Sequence, residues 1–159
     1  MVTKYQKRIS GPLLDRIDIH IEVPRVDYKK LSGNRLGETS ESIRQRVQSA
    51  RDIQNKRFSN GESKDIVCNA DMRVGEVRRF CQLQAEGQSL MRSAMSQLNL
   101  SARAYHRILK LSRTIADLAG SEEIQSAHLA EALHASQSSK DHAGVIKKQV
   151  DNLKSFGQG

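Results

Sequence analysis

Between Ser101 and Gly120 the chain carries a helix whose two ends are written into the sequence. Ser101 is a residue type whose hydroxyl caps the first free N–H groups, and Gly120 is one that accepts the left-handed backbone where a helix stops. Between them Ala104, Ile108, Leu111, Ile115 and Leu118 recur at four- and three-residue spacing, so one face is apolar along its whole length. A face of that length must be covered by other elements. Leu111, in the middle of the stripe, is expected at the centre of whatever covers it.

The neighbouring segments offer more helices. Ile43, Val47, Ala50 and Phe58 fall near one face of a helix capped by Thr39 or Ser40, with Arg44, Arg46, Arg51, Lys56 and Arg57 elsewhere around it. Ser59-Asn-Gly-Glu-Ser-Lys64 breaks it. A second helix is expected over about 72–82 with Met72, Val77 and Phe80 inward, and a third over about 84–98 with Leu90, Met91, Ala94, Met95 and Leu98. The Ser101–Gly120 helix is the fourth, and a fifth begins near Ser126 with Leu129, Ala132 and Leu133. After Ser136 the periodicity fades, and residues 137–159 are expected to form a mostly disordered tail in which Val145, Ile146, Val150 and Leu153 make at most a weak amphipathic turn.

The front of the chain obeys another period. Ile17-Asp-Ile-His-Ile-Glu-Val23 alternates apolar and polar side chains, the pattern of a strand with one buried face, and Pro24 ends it. Ser10-Gly-Pro-Leu-Leu-Asp-Arg16 before it reads as a short helical turn. No second strand of this quality follows, so the strand wants a sheet that the chain does not contain. The expectation is a mainly α fold: a bundle of four to five helices over 40–136, preceded by one orphan strand within 1–24 and a polar linker over 25–39.

Composition narrows the function. Twenty-six Lys and Arg against 18 Asp and Glu give a formal charge of +8, which suits phosphate-bearing partners or simply a well-solvated surface. Aromatic residues make up 4% and Trp is absent, a poor endowment for stacking on single-stranded bases. The chain has no phosphate-binding glycine loop, no dinucleotide fingerprint, no His-Glu-x-x-His and no Gly-x-Ser-x-Gly. Any chemistry must come from residues lent to a site completed elsewhere. There is no apolar run long enough for a membrane span, and the opening residues Met1 to Arg8 lack the apolar stretch expected of a signal peptide. Cys68 and Cys81 match no metal or disulfide framework, and a reducing, cytoplasmic setting is expected. The histidines at 20, 106, 128, 134 and 142 have no ligand spacing either.

Two arginines stand out. Arg103 lies in the first turn of the capped helix, where a cation opposes the helix dipole unless an anion binds there. Arg107 and Lys110 continue a basic edge beside the apolar face, a candidate phosphate or nucleic-acid contact or a plain solvated flank. Arg16 sits at the junction of helical turn and strand, with Asp15 and Asp18 available for a local ion pair.

At these residues the chain resembles the magnesium-chelatase-like AAA+ ATPases of the ComM/YifB group. Tyr5-Gln-Lys-Arg-Ile-Ser-Gly-Pro-Leu-Leu-Asp-Arg-Ile-Asp-Ile-His-Ile-Glu-Val-Pro24 is similar to the end of their ATPase core. Cys68-Asn-Ala-Asp-Met72, the stretch from Leu100 to Gly120 and Ile124–Leu133 are similar to their helical lid. The resemblance implies that 1–24 is the last edge of an α/β core and 40–136 the C-terminal lid. It also implies that Arg16 is the arginine finger acting on the neighbouring subunit's nucleotide, and that Arg103 is the sensor-2 arginine. ATP and Mg²⁺ would then belong to the parent protein, with none bound by this piece alone, since the phosphate-binding loop and the acidic Mg²⁺ strand are not in it. The implied partners are the absent core, neighbouring subunits of a hexameric ring, and DNA remodelled by branch migration during natural transformation, with no membrane. The competing expectations are a nucleotide-independent helical module docking DNA or an acidic partner, and a magnesium chelatase subunit of tetrapyrrole synthesis.

Overall fold

The computed structural model describes residues 17–19, 21, 37–59 and 65–136. The described residues from 37 to 133 belong to one compact unit. Among the described residues the fold is mainly helical: α1 (Ser40–Ser59), a 3-10 turn (Asn69–Asp71), α2 (Val74–Phe80), α3 (Ala85–Leu98), α4 (Ala102–Leu118) and α5 (126–136).

α4 is the central element, packed by α1, the 3-10 turn and α2. Both of its ends form as the sequence demands. Ser101 Oγ accepts the Ala104 N–H at 3.2 Å. At the other end Gly120 takes φ 67°, Ser121 N–H reaches Ala116 O at 2.9 Å and Gly120 N–H reaches Asp117 O at 3.1 Å. This paired closure needs a left-handed residue after the last helical turn, which glycine adopts without the Cβ penalty. At the start of α1, Thr39 is the cap, its hydroxyl accepting the Ser42 N–H at 3.3 Å.

The core gathers Phe58, Val77, Met91, Ile108, Ala116, Ile124, Leu129 and Ala132. Phe58 and Phe80 meet edge to face with ring centres 5.8 Å apart. Gly87 lets α3 approach closely, since a Cβ there would lie 3.4 Å from Leu83 Cβ and 3.9 Å from Leu129 Cδ2. Leu83 and Ile124 form an isolated parallel bridge that ties the α2–α3 connection to the start of α5.

Three expectations shift. The buried face of α4 is turned from the aliphatic stripe: Ile108 is 2% exposed, while Leu111 and Ile115 are only half-buried against the core and Leu118 is 38% exposed. The displacement follows from burial of Ser112, Arg113 and Asp117 on the same helix. On α1, Ala50 and Phe58 are buried but Ile43 and Val47 are 42% and 40% exposed, because only the C-terminal half of this 20-residue helix meets the body. The expected strand over 17–23 does not appear: Ile17, Asp18, Ile19 and Ile21 have irregular backbone, and among the described residues there is no sheet to receive them. His20, Glu22, Val23, the linker to 36 and the tail from 137 lie outside the described residues.

Candidate functional site

The first turn of α4 carries a serine cap and one arginine. Ser101 satisfies the Ala104 amide, and Ser101 O accepts from Tyr105 N at 3.0 Å. The Ala102 and Arg103 amides, nearer the end, have no partner among the described residues, and no acidic side chain lies in this turn. Arg103 is exposed, and its guanidinium makes no hydrogen bond or ion pair among the described residues. Helix dipole, free amides and guanidinium therefore favour the same charge. An isolated cation at such a position opposes the dipole by about 0.3–1 kcal/mol, an expense that a bound oxyanion reverses.

The rest of the basic edge is differently placed. Arg107 is half-buried and already holds an interaction of its own. Lys110 donates from Nζ to Ala70 O at 2.8 Å, which ties α4 to the 3-10 turn. Arg16 lies outside the described residues. The structure thus gives Arg103 an open position, commits Lys110 to a tertiary contact and does not bring the two to one ligand. No group of His, Cys, Asp and Glu among the described residues could hold a metal ion.

The opposite end of α4 is held against α1 and the 3-10 turn by a buried polar cluster that periodicity did not reveal. Arg57, at the end of α1, grips Asp117 of α4 with both terminal nitrogens, Nη1 to Oδ2 at 2.8 Å and Nη2 to Oδ1 at 2.5 Å. Arg113 adds Nε to Asp117 Oδ1 at 3.0 Å and extends to the Glu122 and Ser121 carbonyls at 2.7 and 2.6 Å. Asn69 donates from Nδ2 to Asp117 Oδ2 at 2.8 Å and accepts from Arg57 Nη1 at 2.8 Å, while its backbone N–H reaches Gln54 Oε1 at 3.1 Å. Asp117 is 2% exposed and Arg113 4%. Charges so deep persist only when paired and fully hydrogen-bonded. The spacing of Arg113 and Asp117, four apart on one helix, was legible as a pair. Arg57, sixty residues away in sequence, was not.

Asp71 closes the 3-10 turn. Its carboxylate accepts from the Cys68 thiol and from the Cys68 and Val67 amides at 3.3, 3.1 and 3.2 Å, bonds that hold its pKa below the ordinary carboxylate value. Cys68 is half-buried and its thiol donates, whereas Cys81 is buried.

A small helical domain built around one capped central helix is the class of protein these features define. Residues 37–135 match the family model described as magnesium chelatase, subunit ChlI, C-terminal, and residues 1–31 match that of magnesium chelatase, subunit ChlI. The chain belongs to this family and carries its C-terminal domain. It is 44% identical over 134 residues to competence protein ComM of Haemophilus influenzae, an alignment spanning 83% of this chain and 25% of that protein. To the uncharacterized protein YifB of Escherichia coli it is 39% identical over 131 residues, 82% of this chain and 24% of that protein. Rv2897c of Mycobacterium tuberculosis is 31% identical over 117 residues, 74% of this chain and 22% of its own length. The chain spans about a quarter of the length of the curated relatives it matches. No described helix is long and apolar enough to cross a membrane.

Proposed function

We propose that this domain is the lid of a ComM/YifB-like AAA+ ATPase, and that Arg103 reads the γ-phosphate of ATP held by the ATPase core of the same subunit. The observation that carries the reading is the unengaged Arg103 guanidinium beside two free amides at the start of α4. Phosphoryl transfer spreads charge over the equatorial oxygens, and fixed donors aimed at that charge lower the barrier without reorganising. Arg103 supplies such a donor when the lid closes. The buried Arg57–Asp117–Arg113 cluster keeps α4 rigid against α1, so closure moves the donor as part of one body.

Arg16 is proposed as the arginine finger acting on the nucleotide of the next subunit in a hexameric ring. The Mg²⁺ that accompanies ATP would be held by the core, where the resemblance places the acidic strand that binds it. The parent is proposed to work as a DNA-remodelling motor of the branch-migration kind. Similarity to a protein named for competence and the +8 charge support that direction.

The test is a chimera in which this chain replaces the matching C-terminal quarter of Haemophilus influenzae ComM. Arg103→Ala is expected to cut ATP hydrolysis about tenfold or more, the loss of roughly 1.4 kcal/mol of transition-state stabilisation, without lowering the melting temperature of the lid. Hydrolysis within about twofold of the unmutated chimera refutes the sensor role.

A further inference from the structure

A second feature, independent of the nucleotide reading, lies between α2, α3 and α4. A groove of about 780 Å³ opens there, a volume in the range of specific ligand sites. Its floor is apolar, made by Val77, Leu83, Met91, Met95 and Leu109. Arg78, from the last turn of α2, and Arg92 of α3 also line it, and no Asp or Glu does. Both arginines are exposed and make no hydrogen bond or ion pair among the described residues. His106 lines the same groove with a buried Nδ1 that has no hydrogen-bond partner. Burial pushes the Cys81 thiol in its wall up to about 11, so at neutral pH it adds no negative charge to offset the arginines.

An apolar floor with unpaired cations at its margin selects a particular chemistry. Nucleic acid needs a row of cations for its phosphates and open aromatic faces for its bases, and the two rings lining this groove, Tyr105 and His106, are packed edge to face against each other. An aliphatic side chain flanked by carboxylates suits both the floor and the two arginines. Guanidinium forks take carboxylates bidentately, and unbranched methionines adjust to an inserted side chain at small cost.

We propose that this groove docks an acidic segment of a partner chain, with a leucine-like side chain on the Met91–Met95 floor and neighbouring carboxylates on Arg78 and Arg92.

The test uses the 159-residue chain and a short fluorescein-labelled peptide of leucines flanked by glutamates, read by anisotropy. Saturable binding is expected, weakened about tenfold or more, near 1.4 kcal/mol, by Arg78→Glu with Arg92→Glu. The same peptide with lysine for glutamate should fail on the unmutated chain and bind the double variant, which also shows that the variant is folded. A control pair on α1, Arg44→Glu with Arg51→Glu, changes the net charge equally and should leave the affinity within about threefold. No saturable binding, an equal loss in the control pair, or displacement of the peptide by an equimolar single-stranded oligonucleotide overturns the proposal.

Discussion

Replacing Asp117 by asparagine keeps the shape of the side chain and removes the one negative charge on which Arg57 and Arg113 converge. Breaking a buried ion pair from one side costs about 3–5 kcal/mol, because the partner charge is left in a poorly polarisable interior. Two partners are stranded here, one 4% exposed as a side chain and the other 13%. The loss is moderated by what remains: Arg113 keeps the Glu122 and Ser121 carbonyls and Arg57 keeps Asn69 Oδ1. About 3 kcal/mol is therefore the expected cost, a large part of the 5–15 kcal/mol that stabilises a typical domain. At roughly 4–8 °C per kcal/mol for a domain of this size, the midpoint should fall by about 12–24 °C. Thermal unfolding followed by circular dichroism at neutral pH measures it directly. Replacing Arg57 and Arg113 by methionine together with Asp117 by leucine should recover part of the loss, since apolar residues of similar volume leave no buried charge. A midpoint within about 2 °C of the unmutated chain for Asp117→Asn alone would falsify the view that this cluster anchors α1 to α4.

Two further outcomes can be checked by the same method. Ile108→Ala should cost about 2–5 kcal/mol through a cavity at the centre of the core, and Leu111→Ala clearly less, because Ile108 is 2% exposed while Leu111 is half-buried; equal losses would restore the face read from the sequence alone. Cys81 carries a thiol raised by burial from an ordinary 9.0 to about 11, so the folded chain holds that proton longer than the unfolded one. Its contribution to stability is intact below pH 9 and is lost as pH rises toward 11, and it should vanish from the pH profile of Cys81→Ala.

How far the sequence could be read varied with the range of the interaction involved. Ser101 and Gly120 fixed the ends of α4 because capping and left-handed closure are made within a few residues of the chain. The helices expected near 72–82, 84–98 and from 126 appear as Val74–Phe80, Ala85–Leu98 and 126–136. Arg103 was legible as a cation in a first turn, since its place depends only on where that helix begins. Arg57 was not. Along α1 it looked like one more solvated charge, and nothing nearby in the sequence announces Asn69 or Asp117 as its partners. The same contact turned α4 about its axis, putting Arg113 and Asp117 inside and easing Leu111 and Leu118 outward.

Local sequence, then, determined which segments are helical, where they begin and end, and that the first turn of α4 carries a cation. Hydrogen bonds and side-chain periods of three to four residues suffice for that. Tertiary structure alone decided which face of α4 is buried, that only half of α1 meets the body, and that Arg78 and Arg92 share a groove with a methionine floor. Those outcomes depend on burying charge and apolar surface between segments distant in sequence, where one strong ion cluster outweighs an aliphatic stripe because its charges cannot be left unpaired.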